Sequence, residues 1–234
     1  MGDPAAPALF GLTSVYLGLI FTHGRFWGKR AGPAKAQSAA RLQLRWSVML
    51  FVQYGLPALT GLALLRRGFG FPPEFAPLAP EGGREMATII LAIMPLAMVA
   101  GFLGSRRRAR LGRAAVSLLP VEAPRNWRET GPPLLLSVSA AIWEELLFRL
   151  FVPLLLTLVT GEPLPAFALA TLIFALGHGY QGAAGMAMAG VMGAAFAALY
   201  LLGGTLWMPM LMHFLLVANA SIVRPIARWG VAPA

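Results

Sequence analysis

Seven apolar stretches, near residues 5–22, 46–65, 86–104, 133–159, 163–179, 183–202 and 205–223, constrain this chain more than any other feature. Several reach the ~20 apolar residues that cross the hydrocarbon of a bilayer. In lipid every backbone N–H and C=O must be paired within the segment, so such stretches fold as helices. The expected fold class is all-α, a polytopic transmembrane helical bundle of about seven spans, with six to eight compatible with the pattern. Composition agrees: 58% of the residues are hydrophobic, 12% are charged, and the mean hydropathy is +0.69. The first stretch is the weakest, being interrupted by Gly11, Thr13 and Ser14. Removing it gives the six-span alternative.

The formal charge of +10 sits in the connections. The linker from Thr22 to Arg45 carries Arg25, Lys29, Arg30, Lys35, Arg41 and Arg45, and that from Ser105 to Gly131 carries Arg106, Arg107, Arg108, Arg110, Arg113, Arg125 and Arg128. The tail adds Arg224 and Arg228, whereas the loop from Arg66 to Glu85 holds Arg66, Arg67 and Arg84 and is expected to be non-helical because of its four prolines. With seven spans and the N-terminus outside, fifteen Lys and Arg fall on the cytoplasmic side and three outside. That is the asymmetry of the positive-inside rule, so the expected partner of the basic residues is the bilayer surface and not nucleic acid. Within the third linker, Arg110–Leu119 is expected as an interfacial helix. The absence of cysteine excludes disulfides and thiolate metal sites. The start, Met1-Gly2-Asp3-Pro4, has no basic n-region and is expected to remain uncleaved.

Ile142-Trp143-Glu144-Glu145-Leu146-Leu147-Phe148-Arg149 breaks the apolar rule. An ionised side chain at the centre of a membrane helix costs about 2.5–3.5 kcal/mol on the insertion scale, and here three fall within six residues. Glu145 and Arg149 are i,i+4 and share a face, so they are expected to pair. Glu144 lies ~100° away, on a stripe with Phe148 and Phe151 and without a helix-mate of opposite charge. It is the carboxylate left available for proton transfer. The other ionisable groups at membrane depth are His178, in Phe174-Ala175-Leu176-Gly177-His178, and His213, preceded by Pro209, which is expected to loosen the helix one turn earlier. His23 is expected at the interface. Gly182, Gly185, Ala189, Gly190, Gly193, Ala194 and Ala197 repeat at small-xxx-small spacing and predict close helix packing.

Glu144-Glu145-x-x-x-Arg149, then Phe174-x-x-x-His178, then His213 after Gly203-Gly204-Thr205-Leu206-Trp207, resembles the CPBP family of intramembrane proteases. That family includes the CAAX prenyl endopeptidases and the bacterial Abi bacteriocin-immunity proteins. The resemblance covers roughly residues 132–223, which makes 1–131 an N-terminal group of membrane helices with basic cytoplasmic loops and 224–234 a short cytoplasmic tail. It implies that Glu144 activates water, that His178 shares this task, and that His213 is the histidine of the last motif. Glu145 and Arg149 match the supporting acid and arginine. Glu144, His178 and His213 are the ligands if the family's chemistry here uses zinc, although no HExxH is present. The last motif has Asn or Asp four residues after its histidine, and here that position is Val217. Asn219, two residues further, lies about 120° from the histidine's face on an ideal helix and substitutes only if the helix is locally unwound or rotated.

The expected function is an intramembrane endopeptidase acting on a membrane-anchored or lipidated peptide from the cytoplasmic side of a bacterial inner membrane. A proton-linked transporter or channel using Glu144, His178 and His213 as a relay is the second class. A non-catalytic scaffold or immunity protein, motivated by Val217, is the third.

Overall fold

The computed structural model describes residues 4–30, 39–113 and 123–231. Helices joined end to end form seven rods: α1 (Ala6–Arg30), α2 (residues 39–64), α3 (Gly83–Arg110), α4 (residues 131–160), α5 (Pro163–Gly177), α6 (Gly182–Gly203) and α7 (Trp207–Ile226). There is no strand among the described residues. Four helices, Ala40–Leu64, Gly83–Arg110, Gly179–Gly203 and Trp207–Ile226, are long and apolar enough to cross a membrane, and Ala6–Ile20 and Pro163–Gly177 are shorter apolar helices. The side chain of His23 and the part of the expected interfacial helix beyond residue 113 lie outside the described residues. Arg110 itself ends α3, and Gly112 follows with φ 64°.

α4 is the axis of the bundle. Every side chain from Glu144 to Thr157 is buried, as expected for a helix that is apolar all round. α2 packs against its first half and α5 and α1 against its second, while α7 crosses beside Glu144. α3 lies on the outside and turns Ile89, Ile93, Leu96, Val99 and Leu103 away from the protein. In lipid that exposure carries no penalty, since acyl chains are as apolar as the side chains.

Three rods contain a π-helical turn: Phe51–Gly55 in α2, Leu146–Phe151 in α4 and Asn219–Val223 in α7. Each turn ends two residues before a proline, namely Pro57, Pro153 and Pro225. A proline inside a helix donates no hydrogen bond, and its ring clashes with the carbonyl four residues earlier. Those carbonyls belong to Gln53, Arg149 and Ser221, each inside the widened turn. The helices answer the prolines by adding a residue to the turn. The Gln53 carbonyl then accepts the Tyr16 hydroxyl of α1 at 3.2 Å, which ties α1 to α2. Pro209 does not loosen α7 as expected, because α7 begins at Trp207 and a proline in the first turn removes no helical hydrogen bond.

Glycines set the closest contacts. A Cβ on Gly55 would lie 2.6 Å from the Trp143 ring, and one on Gly61 2.2 Å from the Phe151 ring. Both notches in α2 therefore receive side chains of α4. In α6, Ala189, Gly193 and Ala197 are buried as the small-residue pattern predicts, and a Cβ on Gly193 would sit 3.0 Å from Phe174 and 3.6 Å from Arg149 Nη2. Gly182, the first residue of the helix, and Ala194, about 100° around from Gly193, are exposed instead.

The two ends of the bundle differ. At one end the loop between α2 and α3 folds inward, with a 3-10 turn at Pro73–Leu78 where no helical structure was expected. Successive prolines preset φ in that turn. Phe75 is fully buried, 4.8 Å from Phe167, and Phe71 packs 5.3 Å from Tyr200. Arg67 pairs with Glu74 across the same loop. At the other end the chain after α7 is tied to the linker before α4: Trp229 Nε1 donates to the Pro124 carbonyl at 2.9 Å, and Arg228 Nη2 to the Arg113 carbonyl at 2.8 Å. Trp127 meets Trp229 edge to face at 5.2 Å. The linker's own turn is capped by Asn126, whose Oδ1 accepts from the Arg128 and Glu129 backbone N–H groups.

Candidate active site

Halfway along α4, Glu144 and Glu145 end the regular helix and the π turn begins. Glu145 is fully buried and meets two partners. Arg149 Nε lies 3.1 Å from Glu145 Oε2, the i,i+4 pair expected from the sequence, and His213 Nδ1 lies 2.8 Å from Glu145 Oε1. The carboxylate accepts, so Nδ1 of His213 carries the proton and Nε2 presents a lone pair when the ring is neutral. That Nε2 faces Glu144 Oε2 at 3.9 Å. Glu144 Oε2 is buried and has no hydrogen-bond partner among the described residues.

Arg149 is also fully buried. Its ion pair with Glu145 is close, but none of its nitrogens completes a well-directed hydrogen bond. The guanidinium instead lies over Phe174, 4.6 Å from the ring centroid, and beside Phe196 at 5.5 Å. Phe196 also stacks on His213, with centroids 4.8 Å apart and planes 18° from parallel. Aromatic faces attract a desolvated guanidinium. The charged chain Arg149–Glu145–His213 is thus walled by rings from α5 and α6.

His178 stands at the end of α5. Its Nδ1 is 2.9 Å from the Phe174 carbonyl, and because a carbonyl only accepts, Nδ1 carries the proton here too. No hydrogen bond or ion pair joins His178 to Glu144 or His213. The link runs through Phe174, whose ring is 4.6 Å from His178 and 6.5 Å from His213. Among the described residues no group of three or more His, Asp or Glu side chains is gathered closely enough to hold a metal ion. Glu144, His178 and His213 have suitable lone pairs for zinc but do not share one coordination sphere, so no step below is routed through a metal.

Asn219 is not brought into this group. It opens the π turn of α7, so the helix does change there. Its amide nevertheless faces α3, where a Cβ on Gly101 would lie 3.0 Å from Nδ2 and 3.3 Å from Arg224 Nε. Six residues of helical rise put it about 9 Å along the axis from His213. Val217 offers only its carbonyl, which accepts from Ser221 Oγ at 2.7 Å.

Two features escaped the reading of the sequence. The cross-helix bond from His213 to Glu145 is one. The other is a group of three of the chain's four tyrosines: Tyr16, which bonds the Gln53 carbonyl, Tyr54 and Tyr180. Tyr54 lies in the π turn of α2 with its ring 5.4 Å from Phe148, edge to face. Tyr180 stacks beside His178 at 5.9 Å. A polar Gln53-Tyr54 pair inside an apolar span, four and three residues before Pro57, was the available signal.

A helical membrane bundle with a buried pair of adjacent glutamates, one holding a histidine and the other facing it, defines the class: a polytopic helical membrane protein with a buried carboxylate–histidine cluster. Residues 127–218 match the family model described as type II CAAX prenyl endopeptidase Rce1-like, in agreement with the motifs read from the sequence. The match contains all three motifs and ends at Ala218. No curated protein and no solved structure matches the chain.

Proposed function

We propose that this protein hydrolyses a peptide bond of a membrane-anchored or lipidated, CAAX-like substrate, using water activated by Glu144 and His213. The observation that carries this reading is the 3.9 Å separation of Glu144 Oε2 and His213 Nε2. That is too long for a direct hydrogen bond, and it is the spacing at which one water oxygen can lie about 2.8 Å from both. Both groups are buried, and His213 is held in one tautomer by Glu145. Glu145 is in turn neutralised by Arg149.

In this mechanism Glu144 removes a proton as the water oxygen bonds to the scissile carbonyl carbon, and His213 Nε2 accepts a hydrogen bond from the water's second proton. The proton on Glu144 then passes to the amide nitrogen as the C–N bond breaks, leaving an amine on one fragment and a carboxylic acid on the other, which loses its proton to solvent. His178 is assigned to share the activation from the end of α5. With the N-terminus outside, the centre opens to the cytoplasm, where prenylated or membrane-anchored tails arrive. A bacterial inner membrane remains the proposed location.

The test is cleavage of a fluorogenic farnesylated CAAX peptide in detergent by wild type and Glu144→Ala. Loss of a general base costs about 10²–10⁴ in rate, so turnover by the variant is expected to fall to background. Equal turnover by both proteins sinks Glu144 as the base, and an inactive wild type sinks the CAAX-like substrate class. Metal analysis of the same preparations is the second arm. One equivalent of zinc in wild type, absent in the variant, would replace the metal-free route.

A further inference from the structure

The hydrogen-bonding character of the centre leaves one chemical need unmet. Glu144 and Glu145 are acceptors when ionised. Nδ1–H of His213 is engaged by Glu145, and Nδ1–H of His178 by the Phe174 carbonyl, so Nε2 of each neutral ring is an acceptor as well. Arg149 is fully buried against Glu145 and the Phe174 and Phe196 rings. Val217, one turn beyond His213, has an apolar side chain. A peptide carbonyl brought to Glu144 and His213 therefore meets lone pairs on both, while the unpartnered N–H groups of Arg149 are fully buried. As water adds to it, negative charge collects on its oxygen, and that oxygen requires a donor aimed at it in advance.

Three tyrosines lie on this side of the bundle, and they differ in what their hydroxyls already do. Tyr16 donates to the Gln53 carbonyl at 3.2 Å. Tyr180 is 60% exposed and accepts from Gln181 Nε2 at 2.9 Å. Tyr54 is half-buried, and its hydroxyl makes no hydrogen bond among the described residues. Its backbone sits in the π turn between Gly55, which receives Trp143, and Gln53, which Tyr16 holds. Its ring rests edge-on against Phe148, one turn from Glu144 on the same helix. A donor held in place in advance of the reaction is worth more than one that must reorient.

We propose that Tyr54 of α2 is a catalytic residue, donating its O–H to the scissile carbonyl oxygen as that oxygen becomes negative. No proton is transferred; the hydroxyl hydrogen stays on Tyr54 throughout. The proposal rests on the peptidase reading above. It gives α2, which lies outside the matched domain, a part in the reaction.

The experiment compares wild type, Tyr54→Phe, Tyr180→Phe and Glu144→Ala on the farnesylated CAAX peptide. Tyr54→Phe keeps the ring against Phe148 and removes only the hydroxyl, so its thermal midpoint should match wild type. Its kcat is expected to fall about 10²–10³-fold, the loss typical of one oxyanion donor, with KM within a factor of three. Tyr180→Phe is expected to stay within threefold of wild type. A phosphinic peptide analogue, which mimics the tetrahedral oxygen, should bind Tyr54→Phe at least tenfold more weakly by thermal shift. Tyr54→Phe with wild-type kcat and analogue affinity, beside an inactive Glu144→Ala, overturns this role and leaves the peptidase reading standing. The loss appearing in Tyr180→Phe instead also overturns it. Full activity in Glu144→Ala, or a wild type that neither turns over the peptide nor binds the analogue, removes the peptidase reading and Tyr54's role with it.

Discussion

Glu145 and Arg149 have no access to water, so each depends on the other. Removing one partner of a buried pair leaves an uncompensated charge and costs about 3–5 kcal/mol, whereas replacing both with apolar groups of similar size is often neutral. Glu145→Leu and Arg149→Met are each expected to destabilise the protein by that amount in detergent unfolding, and the double variant is expected to recover most of the loss. A double variant as unstable as the sum of the two would show that the residues act independently. Stability and activity should part company here. The double variant lacks the acceptor that fixes His213, so it is expected to fold and to remain inactive. Spacing alone made the pair legible, because i,i+4 geometry is local. The bond to His213 was not, because it spans 68 positions and depends on how α7 rotates against α4. Asn219 illustrates the same limit from the other side: the helix does alter its winding there, but packing against Gly101 turns the amide to α3.

The last four helices were readable to within three residues of their ends, since each apolar stretch had only one way to satisfy its backbone in lipid, whereas α1, α2 and α3 run six to eight residues further into the basic linkers. What the apolar pattern could not convey was the winding. Pro57, Pro153 and Pro225 announce a disturbance, but whether a helix kinks, breaks or widens is decided by its neighbours. Here the neighbours are glycine notches that accept large rings. The Gly61 notch is the sharpest case: an added methyl would lie 2.2 Å from the Phe151 ring, and Phe151 is itself 1% exposed with nowhere to move. Gly61→Ala is expected to cost about 1–3 kcal/mol, the usual range for overpacking. Combining it with Phe151→Leu should restore more than half of that loss, because the shorter side chain vacates the notch. Thermal unfolding of the two single variants and the double variant decides the matter. If Gly61→Ala unfolds at the wild-type temperature, α2 and α4 are not seated as described.

At the level of the whole bundle, two independent features tell the two ends apart. The loop of residues 65–82 closes one end with Phe71 and Phe75 against Phe167 and Tyr200. The other end carries His178, Tyr180 and the basic linkers, and the rods run back and forth so that all of these fall together. The sequence puts fifteen of the nineteen Lys and Arg in the connections of that side and three in those of the plugged end, so by the positive-inside rule the end with His178 is expected to be cytoplasmic. The chain contains no cysteine, so single cysteines report their side without background. Gly70→Cys, in the plugging loop, is expected to react with a membrane-impermeant maleimide on intact cells. Arg128→Cys and Tyr180→Cys should react only after the membrane is opened. Labelling in the reverse order would invert the molecule and place the reaction centre toward the outside. Labelling of Gly70→Cys and Arg128→Cys from the same side would break the seven-rod alternation itself, most directly at α3, the one helix that joins their two loops.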